Sequence, residues 1–468
     1  MTTVDQPFTD VGEIACDPDS ALVHEHGWQS WSPTTTYSLG DRPHRPPSEA
    51  RKVINYRPGR SAPARSFQGE GLLAVQERSG GPVHVVSAHP GADAVPSIRA
   101  RVEGGSVVVA SDGPVRLLVD HGPGGLAGAL GRWAEGYAAA VGVGPIRPAP
   151  TIWCSWYCYV DKVTEGDMLE NLDAIEAFEL PVDVVQLDDG YQSGIGDWLT
   201  LSGRFRSLAD LMARIRDRGR RAGIWTAPFL VGRRSRLCAE HPDWLVGGAY
   251  AGRNWDQELF ALDVTHPGAA EHLDRVFATL RGLGIDFFKV DFLYAAALEG
   301  RRREDLPPVE AYRRGLRRIR DAVGPAAYLL GCGAPILPSV GLVDAMRVSP
   351  DTGPDYEPAE GDLSHPSVRS AMLSGAGRAW QHGRFWVNDP DCLLARPEVE
   401  HRVDWAAHVG RYGGLRGSSD RLRGLDRWGL ETTRRLLATV PPPRPFALGR
   451  DGDARQGDQD GGGAGGRP

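Results

Sequence analysis

The sequence predicts an α/β chain in which a (β/α)8 TIM barrel follows an N-terminal antiparallel β-sandwich domain. Three observations favour this fold class: short β-favouring runs fill the segment before residue 120, a Pro/Gly-rich stretch lies near residue 147, and apolar runs then alternate with helical segments. We therefore expect a β-sandwich at 1–125, a linker helix with a Pro/Gly linker at 126–148, the barrel at 149–440 and a disordered tail at 441–468.

The sandwich prediction rests on five β-favouring runs between residues 72 and 120, separated by Gly, Pro and polar turns. Closely spaced short runs of this kind are typical of an antiparallel sandwich. LAGALGRWAEGYAAAV then predicts one helix, and GVGPIRPAP after it predicts a linker. The five runs are LLAVQE, HVVSAH, SIRARV, SVVVAS and VRLLVD.

The barrel prediction rests on eight apolar runs in about 290 residues, a number and spacing that fit a (β/α)8 barrel. Helical segments with apolar residues at three- and four-residue spacing lie between most of them. Only the loop GAPILPSVGL separates the fifth run from the sixth, so one helix is missing there. The runs are TIWCSWY (151–157), VDVVQL (182–187), AGIWTAP (222–228), GIDFFKVDF (284–292), AAYLLGC (326–332), VDAMRV (343–348), RFWVN (384–388) and GGLRGSS (413–419).

Composition argues against several classes of partner and location. The 53 basic and 60 acidic residues give a net charge of −7, and no long basic run is present, so no nucleic acid is expected. Prolines and glycines interrupt the longest uncharged stretch, so no membrane partner is expected either. Six cysteines without a CxxC pair and an N-terminus without a signal peptide predict a cytoplasmic protein. The final twenty residues hold no apolar residue larger than alanine, which predicts disorder.

Adjacent carboxylates follow the second predicted strand of the barrel. Side chains at the C-terminal ends of barrel strands point into the mouth, so Asp188 and Asp189 are candidate functional residues. One interpretation is that an aspartate caps the next helix. The other is that the pair accepts hydrogen bonds from vicinal hydroxyls of a substrate.

The fourth and sixth strands add further charged candidates. Strand alternation places Lys289 and Asp291 on one face, either as a structural ion pair or as an ammonium that favours the ionised form of a nucleophilic carboxylate. Arg347 points inward at the end of the sixth strand, and Asp351 follows on the loop. Two carboxyl groups across one pocket are the minimum equipment for glycosidic bond cleavage. Asp389 and Asp391, after the seventh strand, are the next carboxylates to consider.

Tryptophans are concentrated near the predicted strand ends, where an indole can pack on the C–H face of a sugar, although any one of them can equally belong to the core. Cys332 after the fifth strand is either a buried small hydrophobe or a site residue. No HExxH motif or zinc-finger spacing is present, so no metal or other cofactor is expected. The tryptophans are Trp153, Trp156, Trp225, Trp255 and Trp386, with Trp28 and Trp31 in the N-terminal GWQSWSP.

The order of these motifs resembles that of the family 36 glycoside hydrolases, the bacterial α-galactosidases or melibiases. The resemblance spans roughly residues 150 to 395, and GWQSWSP adds to it in the N-terminal domain. It rests chiefly on WCSWY (153–157), QLDDGY (186–191), GIWTAPF (223–229), FFKVDF (287–292), LGCG (330–333), MRVSPDT (346–352) and FWVNDPDC (385–392).

The resemblance implies a retaining α-galactosidase whose partner is a small-molecule α-galactoside and which needs no cofactor. Asp291 would be the nucleophile and Asp351 the acid/base. The substrate-binding residues implied by it are Asp188 and Asp189 on the galactose 4- and 6-hydroxyls, Trp225, Lys289, Cys332 and Arg347 around the −1 subsite, and Trp31 from the β domain.

Three alternatives remain open at the level of sequence. An α-N-acetylgalactosaminidase or an α-galactosyl transferase would use the same carboxylates. A non-catalytic galactoside-binding protein would keep Asp188 and Asp189 but could lose Asp291 or Asp351, and both are present. The sequence does not determine the oligomeric state.

Overall fold

The computed structural model of the protein describes residues 7–47, 49–60 and 62–447. Most of the predicted tail, residues 448–468, lies outside the described residues. The beginning of that predicted tail is described and packs against the barrel, because the ring of Phe446 stacks on His382 with centroids 4.0 Å apart. Packed structure therefore continues past the predicted boundary at residue 440.

Two antiparallel sheets make up most of the N-terminal region. Its elements are β1 (Thr9–Ala15), β2 (Leu22–Glu25), β3 (Thr35–Ser38), α1 (Glu49–Asn55), β4 (Phe67–Glu70), β5 (Leu72–Gln76), β6 (Val83–Ser87), β7 (Ser97–Glu103), β8 (Ser106–Ser111) and β9 (Arg116–Asp120). The strand orders are β1-β8-β7-β4 and β3-β2-β5-β6-β9. The five predicted runs correspond to β5 through β9.

The two N-terminal sheets contribute to one hydrophobic core. Val23 and Val86 of one sheet and Phe67 and Ile98 of the other belong to the same buried cluster. The sequence runs of β1 to β4 were not predicted, because they are short and mix polar with apolar residues. Helix α2 (Gly125–Val141) follows β9 and ends at Gly142, whose φ of 74° is in the left-handed region that glycine adopts most readily.

Helix α2 connects the N-terminal sheets to the rest of the chain. Its apolar stripe, which includes Leu130, Trp133 and Tyr137, is buried in the main hydrophobic core of the molecule. The indole Nε1 of Trp133 donates a hydrogen bond to Ser87 Oγ at 3.0 Å. The predicted linker helix is therefore a packed element.

Eight parallel strands form the second sheet system, and each overlaps one of the eight predicted runs. They are β10 (Ile152–Cys154), β11 (Val184–Leu187), β12 (Arg221–Thr226), β16 (Ile285–Val290), β17 (Tyr328–Gly331), β18 (Ala345–Arg347), β19 (Val387–Asp389) and β20 (Gly417–Ser418). Their order is β19-β18-β17-β16-β12-β11-β10-β20. Leu415 N, just before β20, donates to Asn388 O of β19 at 3.0 Å, which brings the two end strands together. The sheet is consistent with a (β/α)8 barrel.

Helices separate most of these strands. They are α3 (Trp156–Tyr159), α4 (Glu165–Ala177), α5 (Leu208–Asp217), α6 (Arg236–Glu240), α7 (Pro267–Gly282), α8 (Pro308–Val323), α9 (Val368–Gly377), α10 (Arg402–Tyr412) and α11 (Arg427–Leu437). Between β17 and β18 the described chain has only a 3₁₀ turn at Leu337–Ser339, as predicted from the missing helix. Among the helices of the described ranges, none combines the length and the apolar character needed to cross a bilayer.

A three-stranded antiparallel insertion between β12 and β16 was not predicted. It consists of β13 (Leu230–Gly232), β14 (Leu245–Asn254) and β15 (Gln257–Leu262), in the order β13-β15-β14. Trp255 and Asp256 form the tight turn between β14 and β15, and both have positive φ, 49° and 54°. Two successive positive φ values match the turn type that two-residue hairpins favour.

Candidate active site

Charged side chains meet where β11 and β16 end. Lys289, in β16, is buried and extends its ammonium to Asp188, with Nζ 3.0 Å from Oδ2. The same Nζ lies 4.0 Å from Asp291 Oδ2. We call Asp188, Lys289, Asp291 and Trp225 the lysine cluster. Its two carboxylates hold the pKa of Lys289 well above the ordinary value despite burial, so the ammonium keeps its charge.

The Asp291 carboxylate accepts two further hydrogen bonds. Trp225 Nε1 donates to Oδ2 at 3.0 Å, and the backbone N–H of Phe292 donates to Oδ1 at 2.7 Å. Phe292 has a φ of 51°, a left-handed conformation that is uncommon for a phenylalanine. This backbone bend turns the Phe292 N–H back onto the carboxylate, and the donors fix the orientation of Asp291.

Asp188 accepts from buried polar side chains, whereas Asp189 accepts from an indole on the aromatic side of the site. Asp188 Oδ2 also accepts from Gln186 Nε2 at 2.7 Å. Asp189 accepts from Trp255 Nε1 at 2.7 Å, and burial raises its pKa to about 6. Neither aspartate caps a helix, because the next helix, α5, is capped by Ser207. The capping interpretation of this pair is therefore wrong.

Three carboxylates surround one guanidinium at the ends of β18 and β19. Arg347 Nη1 lies 2.9 Å from Asp351 Oδ1, Nε lies 3.1 Å from Asp389 Oδ2, and Nη2 lies 2.8 Å from Asp391 Oδ1. We call these four residues the arginine cluster. Within it only Asp351 is appreciably accessible, with 28% of its side chain exposed against 4% for Asp389 and 0% for Asp391.

Asp351 is the carboxyl group of the arginine cluster with the properties of a general acid. Loss of hydration within the surrounding protein raises its pKa to about 7, and the negative charges of Asp391 and Asp291 add to the rise, although Arg347 opposes it. The strands β16, β17 and β18 are neighbours and run parallel, so the carboxyl ends of β16 and β18 lie at the same edge of the sheet, and the two clusters share that edge. A carboxyl group with a pKa near 7 holds its proton at neutral pH and can donate it.

Tyr157 is a site residue that sequence reasoning missed. Its hydroxyl donates a short hydrogen bond to Asp391 Oδ2, and Thr352 N donates to the same oxygen at 2.9 Å. Tyr157 was placed inside the predicted strand 151–157, but the strand ends at Cys154 and α3 begins at Trp156. The run of aromatic residues WCSWY indicated a possible site. It did not predict the bend after Cys154 that turns Tyr157 toward Asp391.

Cys332 lies between the two clusters. Its side chain is buried, and charges from both clusters act on the thiol. Burial raises the pKa of this thiol well above its ordinary value. The structure therefore shows a buried thiol at this position, and its role as a residue lining the site stays a prediction.

Trp31 reaches this site from the N-terminal region. Its ring packs edge-on against Phe292, with centroids 4.8 Å apart, and so adjoins Asp291. Gly333 admits the indole, since a Cβ at that position would lie 2.7 Å from Trp31. A buried guanidinium, that of Arg378, fixes the segment by donating to the carbonyl oxygens of Ser30, Gln29 and Ser32, each at 2.9 Å.

Apart from Trp31, the tryptophans singled out in the sequence divide into three groups. Trp225 and Trp255 donate to the carboxylates of Asp291 and Asp189, and their rings contact each other edge-on with centroids 6.4 Å apart. Trp153 and Trp386 are fully buried members of the core. Trp156 and Trp28 pack against two other clusters.

The side chains and backbone groups described above can donate or accept protons and hydrogen bonds. Within the described ranges, no group of three or more His, Cys, Asp and Glu side chains is arranged to hold a metal ion. The arrangement offers two carboxyl groups in one space, one fixed by hydrogen bonds and one with a raised pKa, together with acceptors and indole rings suited to a sugar.

Comparison with known proteins assigns the family. A family model described as Melibiase matches residues 147–319. The GH36 alpha-galactosidase AgaA from Geobacillus stearothermophilus shares the fold with a TM-score of 0.60 at 13% identity, over 91% of this chain and 61% of that one. The α-galactosidase TtGalA from Thermus thermophilus, solved in complex with stachyose, is 30% identical with a TM-score of 0.76, over 93% of this chain and 94% of that one. The chain belongs to the family of GH36-type α-galactosidases.

Among curated relatives of this GH36-type chain is the bifunctional alpha-galactosidase/sucrose kinase AgaSK from Mediterraneibacter gnavus, 34% identical over 105 residues, or 21% of this chain. The aligned parts of the first three curated relatives span 11%, 19% and 23% of their lengths. The Melibiase match includes the whole lysine cluster and ends before the arginine cluster. The resemblance seen in the sequence is confirmed at the level of the family.

Proposed function

We propose that this chain is a retaining α-galactosidase that hydrolyses terminal α-galactosides. The observation that carries the proposal is the contrast between two carboxyl groups at the same edge of the sheet. Two N–H donors and an ammonium hold Asp291. Asp351 instead has a pKa of about 7. A double displacement needs one carboxylate that attacks and one carboxylic acid that donates a proton.

In the first step, a carboxylate oxygen of Asp291 attacks the anomeric carbon from the β face. The bond from that carbon to the glycosidic oxygen breaks, and Asp351 gives its proton to the departing oxygen. The product is a β-galactosyl ester on Asp291. Trp225 and the Phe292 N–H keep the attacking carboxylate oriented.

In the second step, Asp351 is a carboxylate and takes a proton from water. The water oxygen bonds to the anomeric carbon from the α face, the ester bond breaks, and Asp291 leaves as a carboxylate. Galactose is released as the α anomer. Asp351 is again protonated, so the cycle closes without a metal or an organic cofactor.

Recognition of galactose is assigned to the aspartate pair and the surrounding aromatic rings. Asp188 and Asp189 would accept hydrogen bonds from the 4- and 6-hydroxyls, while Lys289, Cys332, Arg347 and the indoles of Trp225 and Trp31 would line the −1 subsite. TtGalA has also been solved with p-nitrophenyl alpha-D-galactopyranoside, at 28% identity and a TM-score of 0.77. That ligand supports an α-galactoside as the substrate class here.

We also infer the division of the chain into domains. The N-terminal sheets form a sandwich at 1–125, and a closed barrel follows at 149–440. The linker helix and the linker at 126–148 join the two. The shared core of the two sheets supports the sandwich. The hydrogen bond between the end strands β19 and β20 supports closure.

Proton NMR of the first sugar released from an aryl α-galactoside tests the stereochemistry. Release of α-galactose is expected, and initial release of β-galactose would overturn the retaining assignment. Parallel assays on the aryl α-N-acetylgalactosaminide and α-glucoside test the sugar, and faster turnover of either would overturn the galactosidase assignment. A transferase would instead give oligosaccharide in place of free galactose at low substrate concentration.

A further inference from the structure

Strand β9 presents an apolar sheet edge. It is the last strand of its sheet and pairs only with β6 in the described structure. Its three central side chains are exposed, with fractions of 53% for Leu117, 46% for Leu118 and 40% for Val119. Three consecutive exposed apolar residues on an edge strand are unusual in a monomeric protein.

The usual protections of an edge strand are missing from the centre of β9. Edge strands commonly carry a lysine, a proline or a bulge that prevents another strand from pairing. The residues between Arg116 and Asp120 include none of these, and β9 pairs with β6 residue by residue over its whole length. The backbone N–H and C=O groups on the outer edge of β9 are therefore regularly spaced, as pairing with another strand requires.

We propose that β9 pairs antiparallel with β9 of a second copy of this chain, about a twofold axis through Leu118. The sequence Arg-Leu-Leu-Val-Asp is complementary to itself in this register alone. Arg116 comes opposite Asp120 of the second copy, Leu117 comes opposite Val119, and Leu118 comes opposite Leu118. The contacts of Arg116 with Asp120 and of Leu117 with Val119 each occur twice, and the contact between the two Leu118 side chains lies on the axis, as an isologous interface requires.

The charges at the two ends of β9 fit this pairing. Arg116 is exposed and has no ion-pair or hydrogen-bond partner in the described part of the chain. Asp120 accepts from Arg132, with Nη2 2.6 Å from Oδ1 and Nε 2.8 Å from Oδ2, and from Gly122 N at 2.8 Å. A carboxylate can accept about four hydrogen bonds, so Asp120 retains capacity for the incoming guanidinium. Arg132 also fixes the Asp120 side chain in advance.

The apolar residues would become buried on both faces of the joined sheet. Leu118 pairs with Val85 of β6 and so points to the face of Val85, while Leu117 and Val119 point to the opposite face. In the proposed register, Leu118 of the two copies would meet on one face. Leu117 of each copy would contact Val119 of the other on the opposite face. Two five-stranded sheets would thus become one continuous sheet.

Sedimentation equilibrium of the full chain, with Leu118→Lys beside the wild type, tests the interface. A concentration-dependent dimer is expected for the wild type. Leu118→Lys should raise the dimer dissociation constant by about tenfold or more, because two ammonium groups would face each other at the axis. Val403→Lys, at a 60% exposed position of α10, is the matched control and should leave the constant unchanged.

A monomer at every concentration, or a dimer that Leu118→Lys leaves intact, would overturn the proposal. Galactoside hydrolysis by each variant checks that the variants fold, and this check does not depend on the dimer. If no galactoside is hydrolysed by the wild type either, near-UV circular dichroism serves the same purpose.

Single cysteine variants test the register. Directly opposite strand residues have Cα atoms about 4.5–5.5 Å apart, within reach of a disulfide. Leu118→Cys should therefore cross-link to itself under mild oxidation, while Leu117→Cys should not. A mixture of Leu117→Cys and Val119→Cys should cross-link. The wild type, with its six free cysteines, is the blank. Self-linking of Leu117→Cys, or no link at Leu118→Cys, would show that β9 does not pair in this way.

Discussion

The lysine cluster and the arginine cluster place the same chemical group, an aspartate carboxyl, in opposite surroundings. In the lysine cluster, Asp291 receives an indole N–H and a backbone N–H and lies 4.0 Å from an ammonium. In the arginine cluster, Asp351 shares one guanidinium with two other carboxylates. In the first cluster an ammonium and several N–H donors hold two carboxylates, whereas in the second three carboxylates share one cation.

That difference agrees with the roles proposed for the two residues, a nucleophile and an acid in one site. Three carboxylates around one arginine leave excess negative charge, and a buried group relieves it by keeping a proton. Asp351 is the member that remains accessible, so the retained proton lies where a leaving group can take it. The arginine cluster therefore sets the protonation of Asp351, while the lysine cluster sets the orientation of Asp291.

The largest expected effect comes from removing the nucleophile. Asp291→Gly should lower kcat on stachyose by a factor on the order of 10⁴ or more, because no intermediate can form. With azide and an activated α-galactoside, it should yield β-galactosyl azide, since azide enters on the vacated β face. Asp286→Asn is the control, because Asp286 lies in β16, just before Asp291, and pairs with Arg221. An α-azide product would show that Asp291 is misassigned.

A smaller loss is expected for the acid, and it should depend on the leaving group. Asp351→Gly should lose about 10²–10⁴-fold on stachyose but less on p-nitrophenyl galactoside, whose leaving group needs no proton. Azide should intercept its β-linked intermediate and give the α-azide. Asp355→Asn, on the same loop, is the control. Equal losses on both substrates would contradict the role of acid.

The pH profile sharpens the same comparison. Asp351 holds its proton below its pKa of about 7 and loses it above, so kcat/KM for stachyose should fall above pH 7 by about tenfold per unit. Asp351→Asn should flatten this limb, because its amide does not titrate. A wild-type profile that stays level to pH 9 would mean that the arginine cluster does not retain the proton.

An intermediate effect is expected at the aspartate pair. Asp189→Ala should reduce kcat/KM for the galactoside by about 5–150-fold, since a buried hydroxyl left without a partner costs about 1–3 kcal/mol. Selectivity for galactose over glucose should fall with it. Because the pKa of Asp189 is about 6, the wild-type KM should rise below that pH as the acceptor is lost. Unchanged selectivity in both Asp188→Ala and Asp189→Ala would contradict the assignment.

The smallest effect is expected at Tyr157. Tyr157→Phe removes the hydroxyl that donates to Asp391, and one lost hydrogen bond corresponds to about 0.5–1.5 kcal/mol, or a loss of roughly 2–10-fold. The basic limb should also move to higher pH, because a less stabilised Asp391 increases the negative field at Asp351. Tyr159→Phe, whose hydroxyl accepts from Asn171 instead, is the control. If the basic limb of the pH profile does not move, Tyr157 contributes only through packing.

The eight barrel strands were predictable because buried parallel strands are nearly continuous apolar runs. Lys289 and Asp291 stood out for the same reason, as charges inside such a run. The insertion β13–β15 was missed, because GGAYAGRN in β14 lacks a steady alternation of apolar residues. Trp255 was noticed only as one tryptophan among several, since its hydrogen bond to Asp189 depends on a turn with positive φ that the sequence does not reveal.

The arginine cluster was only half predictable. Arg347 and Asp351 follow from strand alternation and a proline stop, and Asp389 and Asp391 were noted as further carboxylates. Their convergence on one guanidinium requires the pairing of β18 with β19, which brings Arg347 beside Asp389. Such a contact between strands is a property of the register and not of either sequence segment alone.

The attachment of the Trp31 segment to Arg378 limits how this protein can be redesigned. Arg378 donates to three carbonyl oxygens of residues 29–32 and also to Val348 O, just before the loop that carries Asp351. A chimera that exchanged the N-terminal sheets between family members would leave this buried guanidinium with Val348 O but without its other acceptors, unless the exchanged segment presented the same carbonyls. The crossover points for recombination therefore lie on either side of residues 27–34, and that short segment must be inherited together with the catalytic barrel.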